Sequence, residues 1–299
     1  MLLQIDGSPH LWFGPDHPRC TLLAAIDDAT SSVVAAVFRA QEDAHGYLLL
    51  LSQVLSTQGI PDALYHDRHG IFQRNPHNRW TLAEEFAGAQ DPTQFGRALV
   101  DLGIGSIAAR SPQAKGRIER LWGTLQDRLV AELRLAGLTT PEAVTTDFLT
   151  TYLDRHNAAF AMPPNDPGSA YRPLAPTLDL ERLLSFRYGR TVNHDNTVQF
   201  NGQVFQIPPG PRRRGYARAR VWVHELLDGS VGIWHDDEQR WLLRTEASAT
   251  PLTLRARRAK EPPPPAAQGA PTPAADASPK AASPAGTRRK PAANHPWRR

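Results

Sequence analysis

The sequence predicts an α/β chain: a mixed sheet covered by helices, then a small all-β barrel, then a disordered tail. Three observations carry that expectation. Between Leu2 and Ala159, apolar runs of strand length alternate with stretches of helical periodicity. Between Thr197 and Leu243, five short alternating runs follow one another with turn signals between them. From Glu261 onward the chain is Pro, Ala, Ser and Lys/Arg with almost no core formers, a composition that cannot offset the entropy of folding.

The elements follow in order. Leu2–Ile5 reads as a short strand ending at Asp6-Gly7. Thr21–Ile26 and Val33–Phe38 are two more strands, joined by a polar turn, so the first three form an antiparallel meander. His45–Gln58 carries Tyr47, Leu48, Leu51, Val54 and Leu55 at helical spacing and stops at Gly59. Ala63–His66 is a strand running into Asp67. His69–Asp91 is a polar insertion with no evident core role and a short helix near Leu82–Ala87. Gln94–Leu102 is helical and ends at Gly103, and Ser106–Ala109 is a further strand. A long helix then runs from about Ser111 to Ala136, capped by Ser111 with Pro112 in its first turn. Phe148–Ala159 and Leu178–Leu184 are helices flanking a Pro-rich stretch. Asn201-Gly202 between Thr197–Phe200 and Gln203–Ile207 is a strong hairpin signal. The expected domains are a core at 1–175, a linker at 176–190, a barrel at 191–247 and a tail at 248–299.

Composition excludes several classes. One cysteine, Cys20, rules out an intramolecular disulfide framework and a cysteine zinc cluster, which fits a reducing, cytoplasmic setting. No apolar run approaches the roughly 20 residues of a membrane span, and the N-terminus lacks the pattern of a signal peptide. The net charge of +4 conceals a division. Ten Lys/Arg against two Asp/Glu lie between Arg255 and Arg299, leaving 24 against 28 in residues 1–254. Nucleic-acid binding by the folded part must therefore come from local patches.

The chemistry concentrates at the start of the long helix, Ser111-Pro112-Gln113-Ala114-Lys115-Gly116-Arg117-Ile118-Glu119-Arg120-Leu121-Trp122. Ile118, Leu121, Trp122, Leu125 and Leu129 form its buried stripe. Glu119 sits at the margin of that stripe among Lys115, Arg117 and Arg120. A carboxylate for Mg²⁺ beside cations for phosphate is what a phosphodiester site needs; an i,i+4 pair on a solvated helix is the plain alternative. Two more acids stand at strand ends, Asp6 and Asp67. With their strands adjacent, Asp6, Asp67 and Glu119 would meet at one edge and could hold two metal ions about 3.5–4 Å apart for in-line attack on phosphate.

Those segments carry a resemblance. Gln4-Ile5-Asp6-Gly7-Ser8, Tyr65-His66-Asp67-Arg68 and the Ser111–Arg120 motif resemble the integrase-type catalytic core of insertion-sequence transposases, the ISNCY-type group in particular. The resemblance covers roughly residues 1–175, and the β unit with its linker is similar to the family's C-terminal region. It implies an RNase H-like fold and a DDE triad of Asp6, Asp67 and Glu119. It also implies two Mg²⁺ or Mn²⁺ ions, and cutting and joining of DNA at transposon ends and target by a homo-oligomer at the bacterial nucleoid. The family places helix-turn-helix segments upstream of the first acid. With Met1 five residues before Asp6, the chain reads as a truncated transposase or a separately encoded catalytic half. The 52 positions between Asp67 and Glu119 exceed the spacing of compact members, an excess assigned to the His69–Asp91 insertion.

The remaining candidates divide as follows. Lys115, Arg117 and Arg120 are expected on DNA phosphates, as is the cluster Arg212, Arg213 and Arg214 with Arg218 and Arg220 after it. His66 reads as strand packing, His69 as a substrate contact, Asp27 and Asp28 as turn residues. Trp122 reads as core, and Trp222, Trp234 and Trp241 as barrel packing, with a base-stacking role open to one exposed aromatic among them. Two rival functions remain open: a catalytically silent fragment that binds DNA or a full-length transposase, and an RNase H-like nuclease without joining activity.

Overall fold

The computed structural model describes residues 1–74, 80–109, 116–166, 168–211 and 213–247. The described residues all belong to one compact unit. The 248–299 stretch, expected to be a disordered tail, lies outside the described residues.

The first sheet takes five strands: β1 (Leu2–His10), β2 (Cys20–Asp27), β3 (Val33–Arg39), β4 (Ala63–His66) and β5 (Gly105–Ala108). Their spatial order is β3-β2-β1-β4-β5. The first three run antiparallel and the last two parallel to β1. This is the RNase H-like mixed sheet the sequence predicts. β1 is longer than expected: it continues through Asp6 to His10, because its hairpin with β2 stays paired as far as His10 opposite Cys20. The expected strand had stopped at Gly7, whose glycine reads as a break but stays in the ladder opposite Leu23.

Helices cover both faces. α1 (Ala44–Thr57) and α3 (Gln94–Leu102) pack on one, burying Leu3, Ile5, Leu23, Leu48, Leu51, Phe95 and Leu99 together. α1 starts at Asp43, whose side chain accepts the Gly46 N–H, and Gly59 beyond its end takes φ +99°, a conformation that suits glycine. α4 (Gly116–Leu135) and α5 (Thr146–Phe160) cover the other face, where Ile118, Trp122, Leu125 and Leu129 meet Trp12, Leu22, Ala24 and Ile26. The expected helix start at Ser111 and Pro112 lies outside the described residues. No helix among the described residues is long and apolar enough to cross a membrane.

The insertion differs from expectation. Its helix α2 (Leu82–Ala87) is present, closed by a capping box between Thr81 and Glu84. Yet Phe72 near its start is buried in the main core, its ring 4.7 Å from Tyr47 and 5.4 Å from Phe95. Two apolar residues, Ile71 and Phe72, in a polar run give no periodicity, so this anchor was not legible.

After α6 (Leu180–Leu183) the chain forms six strands rather than five: β6 (Phe186–Thr191), β7 (Thr197–Phe200), β8 (Gln203–Gln206), β9 (Arg220–Glu225), β10 (Val231–His235) and β11 (Arg240–Arg244). Four make an antiparallel sheet in the order β11-β10-β9-β6, and β7-β8 is a hairpin whose Asn201 and Gly202 both have positive φ. A shared core of Val198, Phe200, Phe205, Tyr216, Val221 and Ile233 joins them. β6 falls largely inside the span expected as linker. Arg187 and Arg190 interrupt its few apolar residues, and those arginines lie over the rings of Trp222, Tyr188 and Phe200, so a strand disguised by charge is covering aromatic surface.

Candidate active site

The first two acids stand on or just past neighbouring strands. β1 pairs in parallel with β4 through Leu2 opposite Ala63, Leu3 opposite Leu64 and Gln4 opposite Tyr65. The pairing ends there, two positions before Asp6 on β1 and Asp67 just past β4. Parallel neighbours in register face the same side, here the side covered by α4. Asp67 leaves β4 in a turn in which its Oδ1 accepts the His69 N–H at 2.8 Å. His69, expected on substrate, is exposed and has this backbone role, its Nδ1 also accepting the Ile71 N–H.

α4 carries the third acid. The Trp122 indole N–H donates to Asp6 Oδ2 at 3.1 Å, and the Gln126 amide donates to Ser8 Oγ at 3.0 Å, so the helix lies along β1. Glu119 is three positions before Trp122, on the same side of α4, and is exposed. Trp122 is a core residue, as expected, with a polar task added. Among the described residues, no three His, Cys, Asp or Glu side chains are gathered as a ready-made metal site. The donor set is nonetheless of the right chemistry: carboxylate oxygens, one on β1, one just past β4 and one on the helix laid along β1, match a hard divalent cation.

Two residues near these acids had no sequence signal for a polar role. Tyr47 of α1, almost fully buried, donates its hydroxyl to Glu42 Oε1 at 2.7 Å. Burial first, and then the charges of Glu42, Asp6 and Asp67, hold its phenol well above the ordinary range. Glu42 rests against Gly7: a Cβ there would lie 3.0 Å from its carboxyl carbon, so a larger residue beside Asp6 would displace it. Glu42 precedes α1 in an ordinary charged loop, and only the fold brings it to this end of β1.

The basic residues separate into groups. Lys115 and Arg212 lie outside the described residues. Arg117 is engaged within the fold, pairing with Asp28 at 3.2 Å and donating to Ser31 Oγ at 3.0 Å. Asp28 also accepts from Gln4, while Asp27 caps its own turn through Ala29 and Thr30, consistent with turn roles for both. Arg120 is exposed on the first turns of α4. In the β unit Arg213 lies 4.5 Å over Tyr216 and donates to the Gly215 carbonyl, and Arg214 is exposed. Arg190, Arg213, Arg218 and Arg220 line an open groove of about 1030 Å³ with Trp222, His235 and Asp236. Trp222 is not a bare stacking platform: Arg187 sits 4.5 Å over its ring, and its indole donates to Asp236.

The chain matches no protein-family model. The Sinorhizobium fredii protein y4bF, a transposase by name, is 36% identical over 233 residues, covering 78% of this chain and 49% of y4bF. The transposase for insertion sequence IS1202 of Streptococcus pneumoniae is 33% identical over 233 residues, covering 77% of this chain and 48% of that protein. The chain thus spans about half the length of the curated relatives it matches. Among solved structures, the HTLV-2 integrase catalytic core domain in complex with magnesium is similar at a TM-score of 0.35 and 15% identity, over 51% of this chain and 81% of that one. A simian T-cell lymphotropic virus intasome in complex with the PP2A regulatory subunit B56 gamma is similar at 0.39 and 13%, over 83% and 78%.

Proposed function

The resemblance to transposases holds over most of the chain, and from that premise we propose that this is a DDE-type transposase core that cleaves DNA and transfers strands at transposon ends. One observation supports the reading: β1 and β4 pair in parallel up to two positions before Asp6 and Asp67, and the Trp122–Asp6 hydrogen bond ties Glu119's helix to the same strand. Asp6, Asp67 and Glu119 are the residues to hold Mg²⁺ or Mn²⁺. Two bound ions would supply an activated water or 3′-hydroxyl and stabilise the leaving oxygen.

The chain's own residues prepare this chemistry. The Trp122 indole and the His69 N–H each fix one carboxylate oxygen, so the acids are oriented before substrate arrives. Arg120, exposed beside Glu119, and Lys115, by its place in the sequence, are the proposed phosphate contacts. Arg117 would have to exchange Asp28 for a phosphate to do the same. The arginine-lined groove of the β unit offers a second backbone contact. DNA ends and target are the proposed partners, with self-association to pair two ends and the nucleoid as the place of action.

The test is Mg²⁺- or Mn²⁺-dependent nicking and joining of labelled DNA by the wild type, Asp67→Asn and Glu119→Gln. Loss of at least about 100-fold in both variants, with unchanged circular dichroism, supports the triad. Equal activity in all three removes it. Nicking without joining on pre-nicked ends favours a nuclease, and DNA binding with no chemistry in any protein favours the silent fragment.

A further inference from the structure

His66 is fully buried, an expensive place for an imidazole unless both ring nitrogens are satisfied. Both are. Nδ1 lies 2.6 Å from the backbone carbonyl oxygen of Asp67, and Nε2 lies 2.7 Å from Ser106 Oγ on β5. A carbonyl oxygen only accepts, so Nδ1 carries the proton and Nε2 takes the Ser106 hydroxyl as its donor. The ring stacks on Phe72 at 4.3 Å, and the His66 carbonyl accepts the Ala109 N–H at 2.7 Å. One side chain therefore ties together β4, β5, the start of the insertion and the peptide unit that follows Asp67.

That placement goes beyond strand packing. Phe or Leu would fill an apolar site at lower cost. An imidazole adds a hydrogen bond to the peptide plane through which the chain turns off β4. The Asp67 carboxylate is fixed separately, by the His69 N–H. With the main chain held from one side and the carboxylate from the other, the direction of Asp67 is set twice. We propose that His66, oriented by Ser106, is the positioning residue for Asp67. The proposal rests on Asp67 being a ligand in the site described above. His66 itself touches neither substrate nor ion; it acts through the backbone of its neighbour.

The experiment measures Mn²⁺ affinity of the full chain by electron paramagnetic resonance, alongside Mn²⁺-dependent nicking. It compares wild type with Asp67→Asn, His66→Phe, His66→Asn and Ser106→Ala. Phe keeps a ring against Phe72 and removes both hydrogen bonds. Asn restores a donor near the position of Nδ1. Ser106→Ala removes only the partner on β5, at an exposed position. The expected result is Mn²⁺ affinity about 10- to 100-fold weaker in His66→Phe, partly recovered in His66→Asn, and about 3-fold weaker in Ser106→Ala. A destabilised but correctly positioned site would show no recovery with Asn. Wild-type Mn²⁺ affinity in His66→Phe, with Asp67→Asn abolishing binding, overturns the positioning role and leaves the active-site reading intact. Wild-type binding in Asp67→Asn overturns that reading and the proposal with it. Should His66→Phe fail to fold, Ser106→Ala decides: affinity equal to wild type overturns the proposal.

Discussion

Helix α4 and the β unit both dock on the five-stranded core, and they are held by different physics. α4 presents Ile118, Leu121, Trp122, Leu125, Leu129 and Leu133, all buried, and its polar ties to β1 are the Trp122–Asp6 and Gln126–Ser8 hydrogen bonds. The β unit inserts Leu183, Leu184 and Phe186 into the opposite core, but directional bonds stitch that seam. Arg97 of α3 donates to the Leu183 and Ser185 carbonyls at 3.2 and 2.5 Å. Gln94 exchanges two hydrogen bonds with the Arg187 backbone, and His45 meets the Leu227 carbonyl. An apolar seam is non-directional and depends on volume. A polar seam fixes one arrangement and fails when a partner is removed or a charge appears. Glu119 therefore depends on packing, and the arginine groove on hydrogen bonds and pH.

The largest expected effect breaks the polar seam. Arg97 is buried, and it also pairs with Asp101 at 2.9 Å. Arg97→Ala leaves two carbonyls and a carboxylate without that partner and should cost about 3 kcal/mol in urea unfolding. A loss below about 1 kcal/mol would mean the apolar anchors alone hold the β unit. Arg97→Lys should recover only part, because an ammonium does not reproduce the planar fork.

The same seam should respond to acid through His224. The Ser185 hydroxyl donates to the Arg182 carbonyl at 2.7 Å, so at 2.6 Å the His224 Nδ1–H must donate to Ser185. Among the described residues, His224 Nε2 is buried with no hydrogen-bond partner in good geometry. Burial first, and then Arg97, Arg187 and Arg182, push its pKa down from 6.5 to about 3. In that window the unfolded chain binds a proton that the folded chain does not, so stability falls as pH drops from about 6.5 toward 3. Between pH 6 and pH 4 this residue should account for a loss of about 2 kcal/mol. His224→Phe should begin less stable at pH 7 and lose correspondingly less on acidification. An unchanged acid limb in chemical denaturation would assign the pH response to other groups.

How much of this was legible follows the same division. α4's stripe could be read because leucines at helical spacing announce a buried face, and Asp6 and Asp67 could be read because they end or interrupt apolar runs. The pairing of their strands was expected but has no local signature: β4 joins β1 rather than β3 through a contact between residues about 60 positions apart. The polar seam left no pattern at all. Arg97 looks like a surface arginine on an amphipathic helix, and β6 looks like linker because arginine stems rather than aliphatic side chains cover its aromatic neighbours. His66 and Glu42 were unremarkable for a like reason. Their roles come from partners 40 and five residues away, Ser106 and Tyr47, which no local pattern relates to them.

The smallest effect sharpens the apolar side of the comparison. Trp122→Phe keeps an aromatic ring in the core beside Trp12, whose ring centroid lies 6.5 Å away, and deletes the indole N–H on Asp6. If packing volume holds α4, the variant should lose only about 1 kcal/mol and unfold with an unchanged urea m-value. Its effect should instead appear in chemistry, as roughly 10-fold slower Mn²⁺-dependent nicking, because Asp6 loses the donor that orients it. A loss above about 3 kcal/mol would make the hydrogen bond, rather than the leucine stripe, what seats this helix. Slower nicking at near-wild-type stability would separate two tasks of one residue: the ring fixes where α4 lies, and the N–H fixes where Asp6 points.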